Sequence, residues 1–204
     1  MPDYSVDDPY SLRVGFGRRL GAYLIDILIA MIIIAIGYTL TGAFGEMFGQ
    51  NYQELMGDPD AMAEYQAALL AKTLPVQIIT ILLIGAFEIF MAASPGKLAL
   101  NMRIGNANRT KATLGTLFFR FTLKYGTIYF SILYWITSVN IWNWVGTFFG
   151  IIILIGCFFV LGEKRQALHD MIAKTAVYLS ENVTRASQSE LIREDSTRGE
   201  KNIG

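Results

Sequence analysis

The chain has 204 residues, 53% of them hydrophobic and 17% charged, with a formal net charge of zero. That is more apolar than an ordinary soluble domain and points to a bilayer as the solvent. A zero net charge excludes the basic surface that a nucleic-acid binder uses to displace counterions, and the single cysteine, Cys157, excludes an intrachain disulfide.

A helix needs about 20 predominantly apolar residues to cross a hydrocarbon layer about 30 Å thick. Residues 1–15 read as a cytoplasmic N-terminal segment. Gly21 to Thr41 is the first predicted span, with Asp26 as its only charge. A signal peptide is the weaker reading of this stretch, because the run is long, contains Asp26 and ends in Thr41-Gly42-Ala43, a poor cleavage site. An acidic segment follows, in which Asp58 and Pro59 predict the capped start of a helix reaching Lys72 and able to lie along the membrane surface. Pro75 to Ala93 is the second span, with Pro75 in its first turn and Glu88 as its only charge. Leu98, Leu100, Met102 and Ile104 then alternate with Ala99, Asn101 and Arg103, which predicts a short strand. Leu117 to Ser138 is the third span; Arg120 and Lys124 near its start are long enough to snorkel to the interface. Ile141 to Leu161, free of charge, is the fourth. Thr175 to Ser180 has strand composition and can pair with the earlier strand, and residues 181–204 read as a disordered cytoplasmic tail. The predicted fold is therefore an all-α membrane protein, a four-transmembrane-helix bundle over residues 16–180 with a small cytoplasmic β element.

Charge patterning sets the expected orientation. Arg13, Arg18, Arg19, Lys97, Arg103, Arg109, Lys111, Lys164, Arg165 and Lys174 fall on one side of the predicted spans, whereas Glu46, Glu54, Asp58, Asp60 and Glu64 fall on the other. The positive-inside rule places both termini in the cytoplasm of a cell (inner) membrane. Trp135, Trp142 and Trp144 would then flank an external turn at headgroup level.

An ionised carboxylate near mid-membrane costs roughly 3 kcal/mol, so Asp26 and Glu88 each need a partner, water or a proton. Each lies about five residues from the cytoplasmic end of its span, roughly 7 Å deep. Arg120 and Lys124 enter the same layer, and their i,i+4 spacing puts them on one helix face. Arg19, Ala22, Tyr23, Asp26 and Ala30 share a face expected to point into the bundle, with Arg19 and Asp26 about 10 Å apart along the axis. Two acids and two or more bases in one layer fit either an ion network that fixes helix register or a path for a substrate or ion. His169, the only histidine, stands beside Asp170 and reads as a hydrogen-bonded interface residue. No cysteine or second histidine accompanies it in a zinc pattern, and Ser94-Pro95-Gly96-Lys97 lacks the glycine and hydroxyl residue that a phosphate loop needs. No metal, cofactor or catalytic constellation is expected, and the chain does not read as an enzyme.

Three motifs in order carry a resemblance. Arg19-Leu-Gly-Ala22-Tyr-Leu-Ile25-Asp26, Ser94-Pro95-Gly96-Lys97 and Arg165-Gln166-Ala-Leu168-His169-Asp170, with Ala173 and Thr175, together resemble the RDD family of small membrane proteins, named for one arginine and two aspartates. The resemblance implies that Arg19, Asp26 and Asp170 are the namesake triplet, that Ser94 replaces the usual threonine while keeping the hydroxyl, and that Arg120 is the arginine entering the third helix. It further implies transport, including cation/proton antiport for some members. Arg19, Asp26 and Asp170 are thus the candidate ion or substrate site, supported by Glu88, Lys97, Arg120, Lys124 and His169. Cation/proton exchange or small-ligand transport through this polar site is the expected function, and a non-transporting scaffold or assembly partner of another membrane protein is the alternative. Four short helices make a thin bundle, so a homo-oligomer is expected.

Overall fold

The protein, seen in a computed structural model, is described over residues 10–49 and 56–184. The N-terminal segment, the middle of the acidic segment and the tail therefore lie largely or wholly outside the described residues.

Helix α1 (Phe16–Leu40) starts after an extended Gly15, five residues earlier than the apolar run alone indicates. The Phe16 ring stacks on Phe158 at 6.0 Å between centroids, so the first turn is held by packing and carries Arg18 and Arg19 into the helix. Leu24, Leu28, Ile32 and Ile36 recur every four residues and are all more than half exposed. A stripe of that kind is stable facing hydrocarbon, not water. Tyr23, expected on the inward face, is also exposed; of that face, Ala22 alone is fully buried. Helix α2 (Ala43–Gly49) turns back against α1.

Helix α3 (Pro59–Phe90) corrects the sequence reading. Asp58 caps it as expected, accepting from the amides of Asp60 and Ala61, but the surface helix and second span are one continuous helix of 32 residues. Pro75 lies inside it, not at its start. A proline deletes one backbone donor, and membrane helices tolerate the loss when neighbours pack around the kinkable turn. Here Val76 packs where Gly37 of α1 leaves room, and Gln77 donates to the Tyr38 hydroxyl at 2.9 Å. Lys72 pairs with Glu46 of α2.

After α3 come the short helix α4 (Pro95–Ala99) and strand β1 (Met102–Asn106). Leu98 and Leu100, expected in the strand, belong to the helix and its end. β1 pairs antiparallel with β2 (Thr175–Leu179), in a register that sets Ile104 opposite Val177. The small sheet anticipated from the alternation is present, and Met102, Ile104 and Val177 bury against Val14, Ala22 and Leu117 as one core.

The expected third span is two helices, α5 (Leu114–Lys124) and α6 (Thr127–Thr137), broken at Tyr125-Gly126. At Gly126 an added Cβ would stand 2.4 Å from the Phe149 ring, so the glycine permits close packing of α6 on the next helix while weakening the helix that contains it. Helix α7 (Ile141–Cys157) and a 3-10 turn (Phe158–Leu161) match the predicted fourth span. Helix α8 (Leu168–Ile172) leads into β2. Three helices, Phe16–Leu40, Pro59–Phe90 and Ile141–Leu161, are long and apolar enough to cross a membrane; Thr127–Thr137 is apolar but shorter.

Candidate functional site: a buried charge network

Six charged side chains meet where α1, α3, α4, α5 and α8 converge. Glu88, near the end of α3, is wholly buried. Its Oε1 accepts from Lys97 Nζ at 2.8 Å and from Arg120 Nη1, and its Oε2 accepts from Lys124 Nζ at 3.2 Å. Arg120 and Lys124 share one face of α5, as their spacing predicts. Arg120 also donates from Nε to Asp170 Oδ1 at 2.7 Å, and Asp170 Oδ2 accepts from Arg19 Nη1 at 2.6 Å. All four carboxylate oxygens of Glu88 and Asp170 are thereby bonded to cations. Arg19 is fixed in turn by donating to the carbonyls of Val14 and Arg165.

His169 completes the layer. Arg120 Nη2 lies 3.2 Å from His169 Nε2 and can only donate, so Nε2 accepts and Nδ1 carries the hydrogen. That buried Nδ1 has no hydrogen-bond partner among the described residues. Burial pushes the imidazole down to about 3, with Asp170 opposing and Arg120 reinforcing, so the ring is neutral at physiological pH. For Asp170 burial alone would raise the proton affinity; Arg120 and Arg19 outweigh it and hold the carboxyl well below the usual range. Burial pushes Lys97 down to about 8 against the pull of Glu88.

Asp26 stands apart from this network. The expected layer uniting Asp26 with Glu88, Arg120 and Lys124 is corrected in this respect: Asp26 Oδ2 accepts from Ser94 Oγ at 2.6 Å and Oδ1 from the Gly96 amide at 2.7 Å. The carboxylate of α1 therefore caps α4, a separate helix whose N-terminal amides need an acceptor. Gly96 is required there, since a Cβ would stand 2.0 Å from the Ala22 carbonyl oxygen. Ala22 and Asp26, one helical turn apart, and Ser94 and Gly96 are thus the two halves of one clasp.

The family model matching this chain is that of the RDD family, over residues 13–174. The chain belongs to the RDD family. No curated protein and no solved structure matches it. In this RDD-family chain the three signature residues divide between two devices, Arg19 with Asp170 in the charge network and Asp26 in the clasp. Glu88, Lys97, Arg120, Lys124 and His169 all join the network, as the sequence grouped them.

Two residues that the sequence placed only by charge or motif make contacts it did not specify. Arg13 is buried, with its guanidinium 4.5 Å from the centre of the Tyr10 ring and donating to the Lys164 carbonyl at 2.9 Å. Gln166 Nε2 donates to the Thr175 carbonyl at 2.7 Å, closing α8 onto β2. A single polar residue in a basic run carries no periodic signal, so neither was distinguishable from a solvated one. Among the described residues no group of three His, Cys, Asp or Glu side chains is arranged to hold a metal.

Proposed function

We propose that this RDD-family chain is a membrane transport protein whose cargo site is the buried charge network, and that the cargo is a small anion moved together with a proton. The observation that carries this reading is the charge count. Arg19, Lys97, Arg120 and Lys124 supply four positive charges and Glu88 and Asp170 two negative ones, a surplus of two. Counting Asp26 still leaves one. A metal cation entering the layer would meet net repulsion, whereas a small anion offsets the surplus, so the charge supports a negatively charged small ligand over the cation/proton exchange that the resemblance implies. The His169 Nδ1–H adds an unspent donor. Lys97, with its proton affinity near pH 8, supplies a titrating group beside the site. A bound anion favours its charged form, so anion binding draws in a proton.

The proposed topology has four crossings in a cell (inner) membrane, with α5 and α6 together forming the third and both termini cytoplasmic; the segregation of basic and acidic segments supports it. A homo-oligomer supplies the walls of a path that so thin a bundle lacks. The scaffold reading has its own support, because every carboxylate oxygen of the network is bonded and the network ties five helices together.

Proteoliposomes separate the two. The transport reading expects proton movement driven by one or more small anions, strongest around the proton affinity of Lys97 and abolished in Lys97→Gln, which should melt below wild type because Glu88 loses a partner but stay folded at the assay temperature. Absence of anion-driven proton movement in wild-type protein, or its survival in Lys97→Gln, leaves the scaffold.

A further inference from the structure

A groove of about 210 Å³ opens between the end of α3, β1 and the start of α5, and none of the charge network lines it. Its outer lip is apolar: Phe90 is 74% exposed and Leu114 is 56% exposed. Arg103 and Lys111 line it as well. Neither is in an ion pair among the described residues. Arg103 is held by its Nε, which donates to the Met91 carbonyl at 3.3 Å, and this leaves the two terminal nitrogens of its fork for an oxyanion. Lys111 is exposed and brings a mobile point charge. The first turn of α5, capped by Thr113 and without an acidic residue, adds the positive end of a helix dipole.

The location decides what fits. α3 is long and apolar enough to cross a membrane, and the groove lies at its end, where a crossing helix would leave the hydrocarbon for the headgroups. The groove thus sets two cations beside the exposed ring of Phe90 and branch of Leu114. That pairing suits an amphiphile with an anionic head and an apolar tail. Basic pockets beside membrane helices take such headgroups. We propose that this groove binds an anionic phospholipid, with Arg103 and Lys111 on its phosphate and its acyl chain running along Phe90 and Leu114. A free phosphate would leave the apolar lip bare and bind less well. This site is independent of the transport reading.

The test uses the full chain in nanodiscs, measuring competition of phosphatidylglycerol against phosphatidylcholine by retained lipid in native mass spectrometry. Wild type should retain phosphatidylglycerol selectively. Each basic side chain near the surface contributes about fivefold, so Arg103→Gln with Lys111→Gln should weaken the preference about 30-fold. Lys111→Gln alone, at an exposed position whose contacts with Gly105 and Asn106 are made by its backbone, should weaken it about fivefold. Lys164→Gln, exposed elsewhere on the same basic side, should leave it intact. An unchanged preference in Lys111→Gln overturns the proposal, as does inorganic phosphate displacing phosphatidylglycerol at equal concentration.

Discussion

Replacing Asp170 by alanine removes the acceptor that stands between the buried Arg120 and the partly buried Arg19. Its oxygens receive Arg19 at 2.6 Å and Arg120 at 2.7 Å, and the residue has no exposed surface. The substitution strands Arg19 on one side and half of Arg120 on the other; Arg120 keeps Glu88. Breaking a buried pair by removing one partner costs about 3–5 kcal/mol, most of it from the charge left unmatched. For a chain of this size each kcal/mol moves the melting temperature by about 2–4 °C, so Asp170→Ala should melt about 6–20 °C below wild type. Asp26→Asn should cost less, about 1–3 kcal/mol, because asparagine keeps one acceptor for the clasp and loses only one of two bonds. The tryptophans Trp135, Trp142 and Trp144 give an intrinsic fluorescence signal for the measurement in detergent. A melting temperature for Asp170→Ala within about 2 °C of wild type, or below which Asp26→Asn falls, would refute the reasoning that the network holds the fold.

Three further outcomes are expected. His169, pushed down to about 3 in the folded chain from an ordinary value near 6.5, contributes stability that is complete above pH 6.5 and lost as the pH falls from there toward 3. The loss should run at about 1.4 kcal/mol per pH unit and be absent in His169→Gln; equal acid profiles for the two proteins would count against it. The profile is read between pH 6.5 and about 5, above the range in which Asp170, held below its ordinary carboxylate value, begins to lose its own contribution. Gly96→Ala should destabilise by about 1–3 kcal/mol or more, because its methyl meets the backbone of Ala22 and not a movable side chain; a neutral effect in thermal melting would mean that α1 and α4 do not touch as described. On a Cys157→Ser background, a membrane-impermeant thiol reagent applied from outside should label a cysteine placed at Met56 and spare one placed at Asn108, and the reverse result would invert the proposed orientation.

Much of this architecture is written in the chain as simple periodicity. The uncharged stretch from Ile141 to Leu161 could only be one helix, and it is. The alternation at Met102 and Ile104 found its partner at Thr175–Leu179 because a strand with one buried face must pair. Pro75 misled because proline's preference for a first turn is a local rule, and packing by Gly37 and Gln77 overrides it. The break at Gly126 was hidden because glycine in an apolar run has no hydropathy signal; only the Phe149 ring against it shows the need. Depth arithmetic placed Glu88, Arg120 and Lys124 together correctly, since equal depth plus opposite charge leaves little choice. The same arithmetic failed for Asp26, whose partners are an uncharged hydroxyl and a backbone amide that charge counting does not register.

The wide sequence separation inside the network bears on how the protein is made. Arg19 and Asp170 are 151 residues apart, and Arg120 precedes Asp170 by 50. A chain synthesised at about 5–20 residues per second holds Arg19 for about 8–30 s before its carboxylate exists. Through that interval the first helices sit in the bilayer with surplus cations, held by headgroups, water or the insertion machinery. The last charged residue of the network to arrive therefore latches the earlier ones, and a chain stalled before Asp170 would hold Arg120 through Glu88 alone and leave Arg19 without its carboxylate.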